Sequence, residues 1–65
     1  MTDIPENTFA AACYDQNSVE ELLEGLRSGS DAADCAKWGL SPAGWTSQIK
    51  LALAAKLEDE ADDDA

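Results

Sequence analysis

Ser18-Val19-Glu20-Glu21-Leu22-Leu23-Glu24-Gly25-Leu26-Arg27-Ser28-Gly29 is the stretch that decides the fold. A serine with a glutamate three residues on is a capping box: each side chain satisfies a backbone N–H that the first turn of a helix leaves free. Val19, Leu22, Leu23 and Leu26 then recur at helical spacing, leaving Glu20, Glu21 and Glu24 toward the outward side. Ser28-Gly29 ends the run, since glycine closes a helix at little steric cost. An apolar helical stripe must be covered by other elements, and the flanking sequence offers three more helices.

Upstream, Asp3-Ile4-Pro5-Glu6 places a capping acid, an early proline and a second acid in the order of a helix start. It predicts a helix running to about Tyr14, with Phe9, Ala12 and Cys13 on its inner side and Asp15-Gln16-Asn17 as the break. Downstream, Ser30 caps a shorter predicted helix over Asp31 to Trp38, with Ala32, Cys35 and Trp38 facing inward and Gly39 as a left-handed stop. Ser41-Pro42 opens the longest predicted helix, which reaches about Leu57. Trp45, Ile49, Ala52, Leu53 and Leu57 form its stripe, widened by Leu51 and Ala55. At 1.5 Å per residue it spans about 24 Å, enough for the other three to pack along it.

No segment alternates with the period of a strand, and no Asn-Gly or Asp-Gly hairpin signal is present. The expected fold class is therefore all-α: a compact bundle of about four short helices over residues 1–57, followed by an acidic, mobile C-terminal tail over 58–65. Acids directly after Leu57 oppose the helix dipole at that end, which favours fraying there. With 65 residues a single domain is expected, one that buries only about 60% of the surface of its unfolded chain. The hydrophobic fraction of 45% is too high for a disordered chain. The N-terminal residues show no basic region or apolar signal stretch, and no run approaches the roughly 20 apolar residues of a membrane span. A soluble, cytoplasmic protein is the expectation, in a host cytoplasm if the chain is phage-encoded.

Fourteen Asp and Glu against four Lys and Arg give a formal charge of −10. Six of those acids (Glu58, Asp59, Glu60, Asp62, Asp63 and Asp64) crowd the predicted tail. Eight acids and four bases remain in residues 1–57, a net −4. Such a surface repels nucleic acid and attracts basic proteins. Glu20 and Glu24 stand one turn apart, roughly 6 Å along the axis, and Asp31 and Asp34 repeat the arrangement on the next helix. Together with Glu21 they are the candidate partner-binding residues, carboxylates set along rigid helices as phosphates are set along a strand. Ion pairs three residues apart, Glu24 with Arg27 and Asp34 with Lys37, describe the same residues as an ordinary solvated face.

The stretch from Asp34 to Trp45 resembles a helix-turn-helix corner, with a small residue, then Gly39, an apolar residue and a serine cap. Its second helix begins Pro42-Ala43-Gly44-Trp45 and carries only Lys50 and Lys56, too little positive charge to grip phosphates. Direct nucleic-acid binding is not expected. Trp38 and Trp45, either side of the turn, are expected to pack against each other and Leu40. If one indole is exposed, Trp45 with Leu51 becomes an alternative interface for a partner helix.

Catalytic chemistry finds little purchase. Cys13 and Cys35 have no histidine partner in a chain without histidine, so neither a nucleophile and base pair nor a zinc site is expected, and no disulfide is favoured in a reducing compartment. Both cysteines read as small buried hydrophobes. The acidic tail lacks the central glycine and closing glutamate of a calcium loop. No enzyme activity, metal or cofactor is expected. In size, charge and class the whole chain resembles the small acidic phage-encoded inhibitors that mimic DNA, anti-CRISPR proteins among them. That resemblance implies a basic nucleic-acid-binding protein as partner, a CRISPR effector complex being one candidate, and a monomer or small homo-oligomer. The alternatives are a structural or regulatory helical adaptor acting through Trp45 and Leu51, and an antitoxin-like partner of a basic toxin.

Overall fold

The computed structural model describes residues 3–62, and it is all-helical over that span: α1 Phe9–Gln16, α2 Val19–Ser28, α3 Ala32–Trp38 and α4 Pro42–Asp62. The longest helix is the spine. α1 and α2 pack along α4 extensively, and α3 touches it over a smaller area. Between them lies the core of Phe9, Ala10, Cys13, Leu22, Trp45, Ile49 and Ala52.

Each helix starts on a side-chain cap. In α2 the predicted capping box is complete: Ser18 Oγ accepts from the Glu21 N–H at 3.3 Å, and Glu21 Oε1 accepts from the Ser18 N–H at 2.9 Å. Ser41 Oγ accepts from the Gly44 N–H at 3.0 Å at the head of α4. Gly39 takes the left-handed conformation (φ 65°, ψ 39°) that closes α3, and the Leu40 N–H turns back to the Cys35 carbonyl at 2.9 Å. The predicted corner between the third and fourth helices is thus built as a glycine-stopped turn followed directly by a serine cap.

Two starts differ from expectation. Asp3-Ile4-Pro5-Glu6 does not begin a helix; the chain turns, Asn7 adopts φ 62°, and Thr8 becomes the cap of α1. The Thr8 hydroxyl is used twice, donating to the Pro5 carbonyl at 2.7 Å and accepting from the Ala11 N–H at 3.3 Å. A hydroxyl can do both, and this fixes the start of α1 one turn later than the acid and proline suggested. At the head of α3 the cap is Asp31, whose Oδ1 accepts from the Ala33 N–H at 2.8 Å, so Ser30 lies outside the helix.

The end of α4 also differs. The helix runs on through Asp62, five residues past Leu57, so most of the predicted tail is a helical extension, while Asp63 and Asp64 lie outside the described residues. The segment from Ala52 onward is made of Ala, Leu, Lys, Glu and Asp with no glycine or proline. Strong helix formers and the cooperativity of an established helix outweigh the few tenths of a kcal/mol by which end charges oppose the dipole.

The apolar stripe of α4 is rotated from the one predicted. A ridge of residues four apart drifts by about 40° per step, so Leu57 lies about 120° around the helix from Trp45. The buried set instead follows Trp45, Ile49, Ala52 and Ala55, and Leu57 is 49% exposed. Leu23 is likewise 47% exposed, because it sits about 100° round from fully buried Leu22. Lys56, on the buried side, is half-buried and sets its Nζ 4.9 Å from the centre of the Tyr14 ring.

α3 is the thinnest part of the bundle. None of its residues is buried: Ala32 is exposed, and Cys35 and Trp38 are half-buried. Burial of both cysteines was expected, and only Cys13 meets it. Both thiols are free.

Candidate partner-binding surface

The acids singled out in the sequence separate into different roles. Glu20 and Glu24 point away from the core side of α2 and are exposed; Glu24 Oε2 pairs with Arg27 at 3.6 Å, a surface contact of small energetic weight. Glu21 is exposed, with one carboxylate oxygen held by the capping box. Asp31 is exposed, and its Oδ1 is engaged as the cap of α3.

Asp34 departs from the expected pattern. It is half-buried, and its Oδ2 accepts from the Trp45 indole N–H at 3.4 Å. Its expected pair with Lys37 is replaced by this contact, and Lys37 Nζ lies 6.0 Å from the centre of the Trp38 ring. Asp34 is therefore not one more outward acid repeating Asp31; it ties the polar edge of a core tryptophan to α3. Indoles inside a core need an acceptor for their N–H, and the corner brings Asp34 to that position.

The aromatic arrangement centres on Phe9. Its ring lies 5.8 Å from Trp38 and 6.1 Å from Trp45, tilted in both cases. The expected direct packing of the two indoles is replaced by this Phe9-centred cluster, which joins α1 to both sides of the corner. Trp45 is 4% exposed, a core residue and not an exposed anchor. Leu51 is half-buried and packs against the same core. An apolar contact surface on the native fold would instead use exposed Leu23 or Leu57.

Two concavities accompany these residues. A groove of about 330 Å³ runs between the N-terminal segment, α1 and the end of α4. Glu6, Asp15, Glu58 and Asp59 line it with Tyr14 and Ile4, so the helical extension of α4 joins acids from both ends of the sequence. The larger cleft, about 410 Å³, is lined by residues of all four helices, including Phe9, Cys13, Glu21, Asp34, Trp38 and Trp45. No family model, curated protein or solved structure matches this chain.

In the larger cleft, burial first and the Asp34 carboxylate second push the Cys13 thiol above its ordinary range. A raised thiol holds less thiolate at neutral pH, so Cys13 is a poor nucleophile. Among the described residues no group of three or more His, Cys, Asp or Glu side chains is arranged to hold a metal ion, and no helix is long and apolar enough to cross a membrane.

Three features were missed in the sequence. Gln48 Oε1 accepts from the Ala10 N–H at 3.1 Å, so a polar residue of α4 satisfies a free amide in the first turn of α1. Its only sequence signal is a polar residue next to Ile49 on the core side of a helix. The Asp34–Trp45 bond and the groove acids required knowing how helices pack, because their partners lie far apart in the chain.

Proposed function

We propose that this protein is a non-enzymatic acidic module that occupies the positively charged nucleic-acid site of a basic protein, a DNA mimic of the anti-CRISPR type. The observation that carries the reading is the placement of charge: Glu58, Asp59, Glu60 and Asp62 belong to a continuous helix, in a chain of net charge −10. The backbone beneath these carboxylates is already ordered and needs no further fixing on binding, and a basic groove attracts the charge over long range. Glu20, Glu21, Glu24 and Asp31 add further exposed carboxylates on α2 and at the head of α3. Asp34, engaged with Trp45, contributes charge from within the cleft.

The test is capture of purified DNA-binding and CRISPR effector proteins on the immobilised chain at low and high salt, with short duplex DNA as competitor. Mimicry predicts capture that salt releases and DNA displaces. Capture indifferent to both would refute it. The adaptor reading has an observation of its own, the exposure of Leu23 and Leu57. It predicts salt-resistant binding lost on L23S or L57S, with Trp45 serving the fold alone.

A further inference from the structure

The smaller groove joins two kinds of surface. Its less exposed lining is apolar: Ile4, Ala11 and Tyr14 are half-buried, and Ala55 is buried behind them. Its exposed lining is acidic, with Glu6 from the N-terminal segment, Asp15 from the end of α1, and Glu58 and Asp59 from the extension of α4. Among the described residues no base lines it. Those four carboxylates amount to −4, and counting Lys56, whose ammonium lies over Tyr14, still leaves −3. An anionic occupant is excluded, and so is a second copy of a chain at −10.

The rim acids differ from those of α2 and α3 in being uncommitted. Glu21 serves the capping box, Glu24 pairs with Arg27, and Asp31 caps α3. Glu6, Asp15 and Asp59 have no hydrogen-bond or ion-pair partner among the described residues. Nor do they converge: no group of three or more such side chains there is arranged to hold a metal ion. Carboxylates placed around a groove without meeting at one point match several cations spread along a segment, not a single ion. The volume of about 330 Å³ is at the low end of the roughly 300–1,000 Å³ of small-molecule pockets, room for a side chain or two. Charge alone gives no use for the apolar floor, whereas an apolar side chain carried between basic ones would cover it.

We propose that this groove docks a short basic segment of the partner in which one apolar side chain lies between lysines or arginines, the apolar group on Ile4 and Ala11 and the cations on the rim acids. The inference rests on the reading that the partner is basic, and it adds a defined seat to a surface otherwise recognised by charge. Rim charge is screened by salt, whereas contact with the floor is not, so the seat also supplies the part of the affinity that fixes register.

The experiment is an NMR titration of the isotope-labelled full chain at low salt with two blocked pentapeptides, one with leucine and one with serine between paired lysines. The Ala11, Tyr14 and Ala55 amides should shift saturably, with a midpoint about fivefold lower for the leucine peptide. D15N/D59N removes two rim charges and should raise both midpoints about threefold, leaving their ratio unchanged. A11L fills the floor without altering charge and should bring the two midpoints together, with dispersed indole signals showing that each variant is folded. Equal midpoints on the wild-type chain, or shifts confined to α2, would overturn the proposal whatever the variants do. The wider reading fails separately: if the immobilised wild-type chain captures no purified DNA-binding protein it falls, whereas DNA-displaceable capture undiminished in A11L sinks the groove alone.

Discussion

The two ends of α4 do opposite work within one helix. From Pro42 to Ala55 it buries Trp45, Ile49, Ala52 and Ala55 and carries a single charge, Lys50. From Lys56 to Asp62 it carries four acids against one lysine, a net −3, and exposes Leu57. The first half gives the fold its core; the second extends charge from it. A helix lets both coexist, because its hydrogen bonds lie within the segment and need no tertiary partner to continue. The difference teaches that stability and charge can be altered separately, and mutations should show it.

The largest effect belongs to the core half. A chain of this length is expected to be stable by roughly 3–10 kcal/mol, and W45A should cost about 3–5 kcal/mol, since it removes a buried indole packed on Phe9 and leaves Asp34 without its N–H donor. Circular dichroism should show a chain largely unfolded or melting at much lower temperature. A W45A protein as stable as wild type would break the division, because the core would then lie elsewhere. Next in size is S18A, which removes the cap of α2 and should destabilise by about 1 kcal/mol, seen as a lower midpoint in urea with unchanged slope.

A pH effect sharpens the same comparison from inside the cleft. The folded Cys13 thiol is held above its unfolded pKa, so the folded state favours the protonated form. Its contribution is fully present below the unfolded thiol pKa of about 8.5 and is lost as pH rises through the folded value. Chemical denaturation should show stability declining above that pH in wild type, with a shallower decline in C13A, whatever the packing cost of the substitution. An equal decline in both would remove the raised thiol as its cause.

How much of this was legible in the sequence follows the same divide. Local signals read correctly: the capping box of Ser18 and Glu21, the Gly39 stop and the Ser41 cap depend on residues within one turn of each other. Failures began where local signals compete or where packing decides. Asp3 and Pro5 suggested a helix start, but the Thr8 hydroxyl satisfied two groups at once and won. Leu57 matched a repeat of four, yet the helical drift carried it out of the core. Burial of Ala10 and the Gln48 contact depend on the register between α1 and α4, which no local pattern encodes. Among the candidate site residues, the exposure of Glu20, Glu21 and Glu24 followed from helical phase alone, whereas Asp31 is exposed as the cap before α3. Asp34 did not, because its partner Trp45 reaches it only through the turn at Gly39.

The smallest expected effect on stability comes from the charged half of α4, and it tests the division most directly. The double variant D59N/E60Q removes two negative charges from the end of the helix, where they oppose its dipole. Its thermal midpoint should be equal to or slightly above that of wild type, while capture of a basic DNA-binding protein at low salt weakens. A lower midpoint with undiminished capture would contradict the account, making those acids part of the fold and not of the binding surface.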